Sequence, residues 1–144
     1  MKKLFEKLLP AKEDIAELRM CRRHTKELLK LVKQNQDFSS YYLDEFVRMK
    51  IIHMHEYFST SNDVLHNEEN RAQIVEQLQH VIDLWKELEA LWDDYDKNIL
   101  RNEDGSVAKN KLNAMRYLEV LAKEGELYKE IYSYIGEWIQ FWED

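Results

Sequence analysis

An all-α fold, an antiparallel helical bundle of about four helices built on a long coiled-coil-like hairpin, is what this sequence predicts. Three observations predict it. Large apolar residues recur at alternating spacings of four and three along Ile74, Leu78, Val81, Trp85, Leu88, Trp92, Tyr95 and Ile99. A second stripe follows at Ala114, Leu118, Leu121, Gly125, Tyr128, Tyr132, Ile135, Ile139 and Trp142, after a short break at Asn102-Glu103-Asp104-Gly105-Ser106. Finally, 144 residues contain 3 glycines and 1 proline, too few breakers for the many turns of a sheet protein.

The elements follow in order. A first helix over 11–33 starts after Pro10, a residue suited to a helix start. Its apolar stripe runs through Ile15, Leu18, Cys21, Thr25, Leu28, Leu29 and Val32. A second, over 40–58, has Asp37 or Ser39 as N-cap and a wide apolar face that includes Phe46, Val47, Ile51 and Phe58. The polar stretch 59–63 breaks the chain. Asn62 or Asn67 then caps a third helix that reaches to about residue 101. Gly105 serves the turn, and Ser106 caps a fourth helix that ends near residue 142. Residues 2–9 form one or two further turns. Short connections make successive helices antiparallel. Gly125 lies in the fourth helix's seam, where it marks a kink or short break, or the close approach of another backbone. The length predicts a single helical domain over 1–144, with a basic helical part (1–59) and a long hairpin (62–144).

Charge is unevenly spread. Residues 1–34 hold 10 Lys/Arg and 5 Asp/Glu, net +5; residues 35–144 hold 11 and 23, net −12, and together they give −7. A globally acidic chain is not a default nucleic-acid binder. One cysteine, Cys21, excludes a disulfide framework and points to a reducing, cytoplasmic setting. Glu6 and Lys7 interrupt the leader-like start, so no secretory leader is expected, and no apolar run is long enough for a transmembrane segment.

Two surfaces stand out as binding candidates. Trp138, Phe141 and Trp142 crowd three rings near a chain end, and Trp dominates interface hot spots. Acidic residues of the third helix, Glu87, Asp93 and Asp94 among them, form an array that a basic protein would recognise. A basic stripe runs along the first helix at Lys12, Arg19, Arg23, Lys26, Lys30 and Lys33, suited to phosphates or an anionic membrane surface. As an internal feature, the same stripe is a solvated face near acidic helices.

Catalytic and metal motifs are sparse. No glutamate is followed three residues later by histidine, the spacing of di-iron helical bundles. Ser59 stands where a zincin, begun by His55-Glu56, needs its second histidine. The loop around Gly105 puts Leu100 and Lys111 where a calcium loop needs carboxylates. No metal and no cofactor are expected. One segment, Arg48-Met49-Lys50-Ile51-Ile52-His53, with His55 and Tyr57 beyond, resembles the motif of HEPN-type ribonucleases, all-helical enzymes of similar size. Met49 departs from the polar residue usual after the arginine. The resemblance implies that Arg48 would hold a phosphate while His53 or His55 acts as general acid and base, with Tyr57 nearby. His53 also lies among the apolar positions of its helix, where histidine serves as a core residue.

The reading that follows is a non-enzymatic, acidic helical protein acting through protein–protein contacts as a regulator, inhibitor or assembly subunit, including phage-encoded examples. It expects a protein partner and a homo-oligomer. A HEPN-like ribonuclease and a binder of nucleic acid or membrane surfaces through the basic stripe are the alternatives; nucleic acid is not favoured.

Overall fold

The computed structural model describes residues 12–34, 40–60 and 67–143. Among them 89% are helical, in four helices, and none lies in a strand, so the all-α expectation holds. The helices are α1 (Lys12–Gln34), α2 (Ser40–Thr60), α3 (Glu68–Asn98) and α4 (Lys111–Glu143). The caps proposed at Asp37, Ser39 and Asn62, and the turns proposed over 2–9, fall outside the described residues. The chain divides into two compact units, Met1–Gln79 and His80–Asp144, with the boundary inside the continuous helix α3.

In the first unit α1 and α2 form an antiparallel hairpin. Three side-chain contacts define its register: Thr60 to the Met20 sulfur (3.4 Å), His24 to Glu56 (2.9 Å) and His53 to Glu27 (2.6 Å). In each pair the two residue numbers add to the same total, as one unbroken antiparallel register requires. α1 turns Met20, His24, Glu27, Leu28 and Leu31 inward, a three-and-four spacing that makes one stripe. α2 contributes buried Ile51, His53 and Phe58. Asn67 is the cap of α3: its Oδ1 accepts from the Asn70 N–H at 2.7 Å.

The stripe read along α3 is the one the structure buries. Ile74, Leu78, Val81, Trp85, Leu88 and Ile99 are buried, and Trp92 and Tyr95 are half-buried. In the second unit, the Trp92 indole N–H donates to Glu124 at 2.5 Å, and Trp92 and Tyr95 both meet the Tyr117 ring. His80 stacks at a tilt on Tyr134. These pairs make α3 and α4 antiparallel.

α4 departs from the expected stripe. Of the nine positions, Ile135 and Trp142 are buried and Tyr128 is half-buried; Ala114, Leu118, Leu121, Gly125, Tyr132 and Ile139 are exposed. The interior takes Asn113, Val120 and Ile131, with Glu124, Leu127, Tyr134 and Trp138 half-buried. These positions mostly precede the expected ones by one residue, a rotation of roughly 100° about the helix axis. That face also carries two polar contacts, the Trp92–Glu124 bond and the anchoring of Asn113, which no apolar count registers.

The connection between α3 and α4 is also more than a turn. α3 ends at Asn98 and α4 begins at Lys111, so neither the end expected near 101 nor the Ser106 cap holds. Arg101 and Val107 form an isolated antiparallel bridge around the 102–105 turn, where Gly105 takes a φ of 82°. Ser106 spends its capping capacity locally, donating through its backbone N–H and hydroxyl to Asp104 (2.9 and 2.5 Å). Asn110 caps α4 instead, accepting from the Asn113 N–H at 2.8 Å. The buried Asn113 amide closes the loop's base: it accepts from Leu100 N–H (3.0 Å) and donates to the carbonyls of Leu100 (2.9 Å) and Ala108 (2.7 Å).

Gly125 neither breaks the helix nor meets another backbone closely among the described residues. α4 is one helix through it, without a break, and a Cβ built there meets nothing within 4 Å, as at Gly136. Replacing Gly125 or Gly136 with alanine is therefore expected to stabilise the monomer by about 0.5–1 kcal/mol each, read as a higher denaturant midpoint. Asn113→Ala strands the Leu100 N–H and two carbonyls, and is expected to cost about 2–3 kcal/mol in the same measurement.

Candidate functional site

The most structured polar site joins α1 and α2. Each helix carries a His-x-x-Glu pair, His24/Glu27 and His53/Glu56, and three residues is close to one helical turn. Antiparallel pairing crosses them, so each histidine meets the other helix's glutamate. His24 Nε2 lies 2.9 Å from Glu56, and His53 Nε2 lies 2.6 Å from Glu27. A carboxylate only accepts, so both Nε2 atoms carry the proton. The imidazole rings stack with centroids 4.0 Å apart and planes 4° from parallel. Arg23 bridges the two carboxylates, contacting Glu56 closely and Glu27 at 3.4 Å. With neutral rings the cluster holds one positive and two negative charges.

The charges follow from this geometry. Arg23 and His24 both stabilise the Glu56 anion and hold its carboxyl down to about 2. His53 lowers Glu27 in the same way, chiefly through its hydrogen bond. Burial pushes the His53 imidazole below its ordinary value of 6.5, against the pull of Glu27. Its Nδ1 is buried without a hydrogen-bond partner among the described residues, so protonation there would create a stranded N–H.

The ribonuclease-like residues sit differently. Arg48 and His53 are five residues apart, roughly 140° around α2. His53 is 5% exposed and turned toward Glu27 on α1. Arg48 and His55, seven apart, share a face and are half-buried, and Tyr57 packs edge-on against Phe58. Arg23 leaves the basic stripe for the cluster. Arg19, Lys26, Lys30 and Lys33 remain exposed, and the Lys12 side chain falls outside the described residues. Among the described residues no group of three or more His, Cys, Asp or Glu is arranged to hold a metal ion, and no helix is long and apolar enough to cross a membrane.

The proposed aromatic surface is corrected in part. Trp142 is 2% exposed and belongs to the interior. Trp138 and Phe141 are half-buried and pack edge to face, centroids 6.0 Å apart. Glu87, Asp93 and Asp94 are exposed, with Asp94 accepting from the Asn98 amide.

Two features escaped the sequence reading. The signal for the crossed cluster is the repeated His-x-x-Glu, the reverse order of the Glu-x-x-His of di-iron bundles. The second is an outward apolar seam on α4, where Leu118 is 64% and Met115 51% exposed. Its signal was a helix with more apolar positions than one stripe holds.

The cluster predicts acid sensitivity with a definite sign. His53 binds its proton less readily folded than unfolded, so its contribution is present above 6.5 and lost as pH falls below it. Glu56, held low, contributes above its ordinary 4.5 and loses that contribution as pH falls toward 2. The denaturant midpoint is expected to drop in both windows. Glu56→Gln should lower the midpoint at neutral pH and flatten the second drop; a midpoint that rises in acid would contradict the cluster.

No protein-family model matches the chain, and neither a curated protein nor a solved structure matches it.

Proposed function

We propose that this chain is a non-enzymatic helical protein that works by binding another protein, with the outer seam of α4 as its principal surface. The observation that carries the reading is the exposure of that seam. Five large apolar residues along the outer side of α4 are exposed: Met115, Leu118, Leu121, Tyr132 and Ile139. Contiguous exposed apolar surface marks interaction sites, because water is released when a partner covers it. Gly125 and Gly136 lie on the same face, exposed and with open space beyond them. Each costs helix stability that no contact within the described residues returns, and each admits close approach by a partner.

This moves the surface from the terminal rings to the middle of α4. Trp138 and Phe141 lie on the other side of α4, half-buried, and the acidic residues Glu87, Asp93 and Asp94 are a separate exposed set. The ribonuclease reading through His53 has less support, because His53 is buried and tied through Nε2 to Glu27. A general acid and base needs reach to its substrate.

Affinity capture from the native host, with mass spectrometry, tests the proposal. The wild type is expected to hold a partner that Leu118→Glu with Leu121→Glu weakens at least about tenfold. Both positions are exposed, so the variant's melting temperature should match the wild type's. Equal capture by wild type and variant would overturn the proposal.

A further inference from the structure

α1 has an unused seam of its own. Facing away from His24 and Leu31, it exposes Ile15 (36%), Leu18 (54%), Leu29 (53%) and Val32 (45%), with Arg22 and Thr25 completing the heptad spacing. Arg19, Lys26 and Lys33 flank one side of it, each seven residues from the next and each exposed. One flank of the outer seam of α4 carries the opposite charge at Glu119 and Glu126, also seven apart and exposed beside Leu118 and Gly125, with one cation, Lys129, on the same side. We propose that the partner of the α4 seam is the α1 seam of a second copy of this chain, packed antiparallel. The inference rests on the interaction reading above and names its occupant.

Charge and shape agree on this pairing. Seven residues are about 10.5 Å along either helix, so one antiparallel register sets Lys26 against Glu126 and Lys33 against Glu119 together. Leu18 and Leu29 are eleven residues apart, as are Gly136 and Gly125. Two residues, about 3 Å, from that same register each leucine falls over a glycine. The space beyond both glycines is then where a leucine side chain inserts. An α4 seam packed on another α4 seam would instead bring together two faces whose flanks carry Glu119 and Glu126, without α1's row of cations. A chain with net +5 over residues 1–34 and −12 over the rest favours opposite parts of two copies meeting.

Light scattering on the full chain tests this. The wild type is expected to be a multimer at low salt and to dissociate progressively as salt rises. Lys26→Glu with Lys33→Glu, and separately Glu119→Lys with Glu126→Lys, are each expected to weaken self-association at least about tenfold. An equal mixture of the two variants should recover the multimer, because reversed charges face reversed charges again. These positions lie outside the His–Glu cluster, and circular dichroism verifies the helices. The salt titration of the unaltered chain keeps the proposal testable if a variant misfolds. A wild type that is monomeric, a multimer indifferent to both reversals, or a mixture that stays monomeric would overturn it. Host capture separates this failure from failure of the interaction reading. A monomer whose Leu118 and Leu121 still hold a different protein ends self-association alone.

Discussion

A helix that meets one neighbour buries one stripe, and this constraint decides most of what the molecule presents. α1 and α4 each carry apolar residues at heptad spacing on two faces. Burying a large apolar side chain contributes about 1.5–3 kcal/mol, so both faces compete for the interior. What settles the competition is polar. His24 and Glu27 on α1, and Glu124 and Asn113 on α4, have partners across their hairpins, and they hold their faces inward. The stripes left outside are then determined by rotation.

The crossed cluster shows why a polar group can outrank leucine. An unpartnered buried histidine or carboxylate costs several kcal/mol, whereas an exposed leucine forfeits a fraction of that. Once His53 enters the interior, Glu27 must follow, and with Glu56 and His24 the same holds in reverse. Only one antiparallel register satisfies both pairs. A slip by one residue would separate them, so the cluster specifies alignment as well as contributing stability. Arg23 completes it by neutralising one of the two anions that lie together.

The connection between α3 and α4 works on the same logic. Its backbone groups near Leu100 and Ala108 have no helix to satisfy them, and Asn113 reaches back from α4 to do so. Asn113 faces the loop from the same side of α4 as buried Val120 and Ile131. Leu118, Gly125 and Tyr132 lie on the side turned away from it.

Much of this was legible from residue spacing. Four helices, their order, the Asn67 cap, the Gly105 turn and the buried stripe of α3 all follow from periodicity and capping chemistry, which are local properties. α3 could be read correctly because it has one dominant apolar stripe. α4 has two, and spacing ranks them by apolar content alone, which places the stripe through Leu118 in the interior. Likewise each His-x-x-Glu is unremarkable on its own helix. Its meaning appears when an antiparallel neighbour supplies the reciprocal pair, a relation between residues about thirty positions apart. The amino-acid sequence by itself determined which segments are helical and how the charges divide along them. Only the tertiary structure decided which face of α1 and α4 is inside, because that choice rests on hydrogen bonds between segments.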